Sequence, residues 1–204
     1  MRTEDVSRAV EAGASYLGVV FAGGPRTVTS ERVLELVRAS AGVPVLGVFA
    51  EHRVEEILQI SAQTGLSGAQ LHGPYSRADA ERLRGGGLEV WRVVRIATPQ
   101  DLDAVNAAIP GSDAVLVEPK VPHALGGSGM SLEVAVAREA RSRLAGHSMV
   151  LAGGLTPESV AAALAVIRPD IVDVSSGVEA RPGMKDPTKI ARFAEAVFAH
   201  SPIT

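Results

Sequence analysis

Cysteine is absent from all 204 residues. Disulfides, thiolate metal sites, iron–sulfur clusters and a cysteine nucleophile are therefore excluded from these residues. The absence fits a reducing compartment, and a cytoplasmic location is the expectation. Aromatic side chains make up only 3% of the sequence, too few for a base-stacking platform. Positive charge has no surplus: 20 Lys and Arg face 23 Asp and Glu, a formal net charge of -3. Nucleic acid and anionic membranes are not expected partners. No apolar run reaches the roughly 18 residues of a membrane span. The opening stretch MRTEDVSRAVEAG is charged and lacks an apolar segment, so no secretory signal is expected. The five histidines show no ligand spacing, and no metal is expected.

What is present is a globular pattern. Hydrophobic residues make up 46% and charged residues 21%, which suits one domain over residues 1–204 with a sizeable core. Short Val- and Leu-rich runs recur with little alternation: Tyr16–Phe21, Pro44–Phe49, Gly68–Leu71, Glu89–Ile96, Asp113–Val117, Ser148–Ala152 and Asp170–Val174. Parallel strands covered on both faces read this way. Helical patterns lie between them. Ser30 is a candidate cap for SERVLELVRAS, and Glu51–Thr64 carries apolar residues at helical spacing. Arg77–Arg84, Pro99–Ala108, Ser131–Leu144, Pro157–Ile167 and Pro187–Ala199 follow. Thr156-Pro157 and Asp186-Pro187 join a capping oxygen to a proline suited to the first helical turn.

Alternating strands and helices with short connections predict an α/β architecture with a parallel sheet. An open doubly wound sheet and a closed (β/α)8 TIM barrel compete. No G-x-G-x-x-G opens the first unit, which favours the barrel. The count is seven strands and eight helices, and the chain opens on a helix, roughly Thr3–Ala12. The first barrel strand is therefore expected to be missing from the chain as given. An open seam exposes strand edges, so low stability or self-association is expected.

Candidate site residues fall at the C-terminal ends of strands, where barrel active sites form. Gly127 and Gly129 lie in GGSG after the Asp113–Val117 run. Gly153 and Gly154 follow Ser148–Ala152, and Ser176 and Gly177 follow Asp170–Val174. Such loops let backbone amides approach a phosphate, or they are simply tight turns. Asp173 lies within an apolar run, where a carboxylate either ties down a loop or binds ligand hydroxyl or amine groups. Glu118 ends DAVLV and is a candidate general acid, with a salt bridge to Lys120 as the alternative. Arg26 could fork a ligand carboxylate or decorate a surface loop. His72 could bind ligand or bond the backbone. One of Arg92 and Arg95 should point into the barrel mouth.

Taken in order, GASYLGVVFAGGPRTVT, VLGVF, AQLHG, DAVLVEPKVPHALGGSGMSLE, VLAGGLTPESV and VDVSSGVEARPGMKD resemble the phosphoribosylanthranilate isomerases, the barrel enzymes of tryptophan biosynthesis. The resemblance spans nearly the whole chain and rests on the combination of motifs. It implies an Amadori rearrangement of phosphoribosylanthranilate, with no metal or organic cofactor. A general acid protonates the ribose ring oxygen, and a general base then removes the proton on the sugar's second carbon. By match, Glu118 stands at the acid position, Arg26 against the anthranilate carboxylate, Asp173 where it orients substrate, and the glycine loops at the phosphate site.

Two departures stand out. The usual acid is aspartate, one methylene shorter than Glu118. The usual base is a cysteine in a Lys-x-Cys-Gly motif ending the first strand, and neither motif nor strand is in this sequence. The expectation is that both belong upstream of Met1. The alternatives are a sister phosphosugar isomerase of histidine biosynthesis, a bifunctional barrel, or a barrel that binds a phosphorylated ligand without turnover. The expected partner is a small-molecule phosphosugar, and the expected assembly is a monomer or homodimer.

Overall fold

The computed structural model describes residues 2–120 and 134–200. Seven parallel strands form one sheet in sequential order. They are β1 (Leu17–Val20), β2 (Val45–Phe49), β3 (Gly68–Leu71) and β4 (Glu89–Ile96), then β5 (Ala114–Pro119), β6 (Ser148–Leu151) and β7 (Ile171–Val172). The helices are α1 (Thr3–Glu11), α2 (Ser30–Ala39), α3 (Val54–Thr64) and α4 (Arg77–Gly85), then α5 (Asp103–Ala108), α6 (Val134–Arg143), α7 (Val160–Ile167) and α8 (Pro187–Phe198). A small antiparallel hairpin, β8 (Glu179–Arg181) and β9 (Met184–Lys185), precedes α8.

Side-chain parity divides each strand between two cores. Val90 and Val94 on β4, and Val115 and Val117 on β5, pack outward against the helices. Leu46, Trp91, Leu116 and Val150 come from four different strands yet meet in one inner cluster. Only a curled sheet brings those inner faces together, so this is the wall of a (β/α) barrel. Trp91 closes the floor. It is almost fully buried, donates from Nε1 to Glu89 Oε1 at 2.8 Å, and meets Tyr16 edge-on at 4.9 Å.

Local chemistry explains most element ends and shifts some of them. The cap of α2 is Thr29, not Ser30, because the Thr29 hydroxyl accepts from Arg32 N. Asp186 caps α8 as expected, accepting from Thr188 N and Lys189 N ahead of Pro187. The Thr156-Pro157 signal starts a turn instead. Thr156 N donates to the Ser159 hydroxyl, and α7 begins three residues beyond Pro157. Pro99–Leu102 is a 3-10 turn leading into α5. The predicted Ser131–Leu144 helix is α6 from Val134; its first residues lie outside the described residues.

Among the described residues no strand joins β1 to β7, so the sheet has a seam. Its ends are held in other ways. Val28 N returns to Val20 O at 3.0 Å, covering part of the β1 edge with the strand's own loop. Helix α1 packs on both α2 and α8 and bridges the seam from outside. Arg2 caps α1 through the buried Asp5 and reaches Lys185 O, linking this helix to the hairpin.

Candidate active site

The C-terminal ends of β3, β4 and β5 converge on one charged group. Arg95 pairs in register with Glu118 across β4 and β5. It shares parity with the inner residues Trp91 and Val93, so its side chain enters the mouth. Its Nε donates to Glu118 Oε1 at 2.8 Å, and its Nη2 lies 3.1 Å from His72 Nδ1. Arg92 takes the other face and donates to Ala107 O and Tyr75 O. Glu118 is buried at 6% exposure. It does not pair with Lys120, whose ammonium lies 3.4 Å from Asp101 Oδ1.

The same geometry fixes the His72 tautomer. Burial, with the Arg95 charge adding to it, pushes the imidazole down to about 4. A neutral ring beside an arginine donor must accept at Nδ1, so Nε2 carries the hydrogen. Glu118 Oε1 lies 3.6 Å from Nδ1, but both atoms are acceptors, and Arg95 mediates between them.

A second group gathers at the end of β7. Asp173 is recessed among protein groups yet keeps some contact with solvent. Its carboxyl is raised, first by burial and then by the Glu118 charge, while Lys185 opposes the shift. Lys185 donates to Ser175 O at 2.8 Å and to Glu179 Oε1 at 3.2 Å. Arg26, from the loop after β1, forks both Glu179 oxygens at 2.8 and 2.7 Å. Arg26 is therefore neither a free surface arginine nor an uncommitted ligand fork.

The glycine loops after β6 and β7 touch. A Cβ on Gly177 would fall 1.8 Å from Leu155 O, so only glycine permits that approach. Gly153 has φ +85°, and a Cβ there would lie 2.3 Å from Pro119 Cδ. This loop thus packs against the strand end that carries Glu118. Gly154 also has positive φ, and Ser176 opens a short 3-10 turn with Gly177. Gly127 and Gly129 lie outside the described residues.

Sequence reasoning named Glu118, His72, Asp173 and Arg26, left Arg92 and Arg95 undecided, and assigned no role to Glu179 or Lys185. The partners Arg26 and Glu179 are 153 positions apart, and no local pattern signals such a pair. No helix of the described residues is long and apolar enough to cross a membrane.

A parallel strand–helix barrel with acidic, basic and imidazole groups at the C-terminal strand ends defines a TIM-barrel enzyme of the acid–base kind. Residues 1–196 match the N-(5'-phosphoribosyl)anthranilate (PRA) isomerase family. The isomerase of Symbiobacterium thermophilum is 39% identical, over 95% of this chain and 92% of its own length. The crystal structure of the Thermotoga maritima isomerase superposes with a TM-score of 0.89 at 30% identity, covering 98% of this chain and 95% of that one. A phosphoribosyl anthranilate isomerase in complex with reduced 1-(o-carboxyphenylamino)-1-deoxyribulose 5-phosphate superposes with a TM-score of 0.85 at 28% identity, covering 97% and 94%. The chain belongs to the N-(5'-phosphoribosyl)anthranilate isomerase family.

Proposed function

We propose that the chain converts N-(5'-phosphoribosyl)anthranilate to 1-(2-carboxyphenylamino)-1-deoxyribulose 5-phosphate in tryptophan biosynthesis. The meeting of Glu118, Arg95 and His72 at the barrel mouth, with Asp173 near enough to feel the Glu118 charge, in a chain of this family, carries the reading. Glu118, in its protonated form, gives its proton to the ribose ring oxygen and is left as the carboxylate that Arg95 holds, and the ring opens to a Schiff base. A base then takes the proton from the second sugar carbon, and the enolamine becomes the ketone. Asp173 takes this second role among the described residues. Burial raises the carboxyl from its ordinary value, which makes it a stronger base when ionised. His72 Nε2 donates to a substrate oxygen.

Arg26 offers its unforked Nη1 to the anthranilate carboxylate. Backbone amides of Gly153, Gly154, Ser176 and Gly177 receive the phosphate. The substrate is a small phosphosugar, and the setting is the cytoplasm. The chain works as a monomer or homodimer; the Thermotoga maritima relative is described as dimeric.

Loss of substrate fluorescence on adding the chain tests the reading. Turnover that disappears in Glu118→Gln supports it. Tight binding of the substrate without turnover would replace it with a phosphate-ligand-binding barrel.

A further inference from the structure

Arg26 and Lys185 both turn toward one carboxylate. Glu179 is buried, with 5% of its side chain exposed, and begins the hairpin directly after the Ser175–Gly177 loop. Its Oε2 accepts from Arg26 Nη2, and its Oε1 accepts from both Arg26 Nε and Lys185 Nζ. Lysine 185 spends its remaining hydrogens on Ser175, at the carbonyl (2.8 Å) and the hydroxyl (3.4 Å). No donor of Lys185 is left for a ligand, so its effect on the loop is one of placement. Arg26 differs: Nη1 has no partner among the described residues.

The two cations repel each other, and each sits partly out of water. Burial alone would drive Glu179 toward its neutral form. The Arg26 fork and the Lys185 ammonium outweigh that and keep it ionised. The carboxylate is therefore the common anchor of a cation beside the loop after β1 and a cation beside the loop after β7. The seam between those strands has no backbone pairing among the described residues, so this anchor joins the two loops directly by side chains.

We infer that Glu179 is a positioning residue for substrate binding: it aims Arg26 at the ligand's carboxylate and, through Lys185, sets the loop that receives the phosphate. The inference rests on the isomerase reading for the identity of the substrate. It requires two separable arms, one reading a carboxylate and one reading a phosphate, joined at Glu179.

The test uses the full chain and competitive inhibition by two fragments, anthranilate and inorganic phosphate. Glu179→Gln keeps the volume and removes the charge. It should raise the KM for N-(5'-phosphoribosyl)anthranilate about tenfold or more while kcat changes little, and weaken both fragments. Arg26→Lys should weaken anthranilate and spare phosphate, and Lys185→Gln should do the reverse. Glu179→Asp, with its charge restored, should recover part of the KM. A purely structural role would lower the melting temperature and move both fragments together in every variant, and that pattern overturns the inference. So does an unchanged KM in Glu179→Gln. If Glu179→Gln does not fold, the opposite splits in the other two variants decide the matter. Wild-type chain that never turns the substrate over sinks the isomerase reading alone; fragment affinities by calorimetry still test the two arms.

Discussion

Arg95 on β4 and Glu118 on β5 are register partners, and the Arg95 Nε–H donates to Glu118 Oε1 at 2.8 Å. The bond spans two neighbouring strands, so sheet geometry fixes it rather than loop conformation. It holds one of the two Glu118 oxygens. Arg95→Ala would leave a buried carboxylate without its donor, at a cost of roughly 1–3 kcal/mol, discounted because Arg95 is itself part exposed. Urea unfolding of Arg95→Ala, Glu118→Gln and the double variant checks this. The double variant should cost less than the sum of the singles, because Glu118→Gln removes the charge that Arg95→Ala strands.

The acid itself gives a graded prediction. Glu118→Gln cannot donate the proton, so kcat should fall by about two to four orders of magnitude. Glu118→Asp keeps the acid but moves it about 1 Å and breaks the Arg95 contact, so it should retain turnover within about two orders of magnitude of the parent. Steady-state kinetics on the three proteins gives the order. Equal rates for Glu118→Gln and the parent would remove Glu118 from the proton path.

How much of this site could be read from sequence follows from how local each relationship is. Glu118 and His72 ended apolar runs, and strand ends mark the barrel mouth, so position alone exposed them. Arg92 and Arg95 lie three apart on one strand and must face opposite sides, but nothing in EVWRVVRI says which is inside. Parity is settled by tertiary neighbours: Trp91 and Val93 belong to the inner cluster and Val90 and Val94 to the outer ones. The hairpin was missed although Pro182-Gly183 is a turn signal, because its two strands are too brief to show alternation. The α2 cap was misplaced by one residue because Thr29 and Ser30 are both good caps, and only the bond from Arg32 N distinguishes them.

The neutral His72 gives a pH signature with a definite sign. Its folded value is about 4, below the ordinary 6.5 that the unfolded chain keeps. As pH falls from 6.5 toward 4, the unfolded state takes up a proton that the folded state refuses, so stability falls through that window. The loss attributable to this residue is up to roughly 3 kcal/mol. His72→Gln cannot titrate, so its stability relative to the parent should improve between pH 7 and pH 4.5. Parallel slopes for the two proteins would mean that His72 protonates in the fold at its ordinary value.

Gly153 couples the loop after β6 to the acid. Its φ of +85° disfavours any side chain, and the added Cβ would press on Pro119 Cδ at 2.3 Å, with Glu118 Cβ at 3.3 Å. Gly153→Ala should therefore cost roughly 1–3 kcal/mol and shift the strand end that carries Glu118. Gly18 has open space where its Cβ would go and an ordinary φ, so Gly18→Ala serves as the control. Thermal unfolding and kcat should both fall in Gly153→Ala and hold in Gly18→Ala. An unperturbed Gly153→Ala would mean that the loop relaxes without moving β5.

The seam predicts an alternation in hydrogen exchange. In a parallel pair, successive amides along a strand point to opposite sides. Leu17 N and Phe21 N donate to β2, at Pro44 O and Val48 O. By that alternation the amides of Gly18 and Val20 face the seam; Val20 is bridged there to Thr27 of the strand's own loop, and Gly18 faces the part where no described strand pairs with β1. In the isolated chain, Gly18 should exchange far faster than Val19, and faster than the amides of β4 and β5, which have neighbours on both sides. Residue-resolved exchange by NMR reads this directly, and it should be run across a dilution series. Protection of Gly18 that rises with concentration would show copies of the chain covering the seam, which is the self-association expected of an open edge. Protection that is high and independent of concentration would mean that the edge is already paired within the monomer.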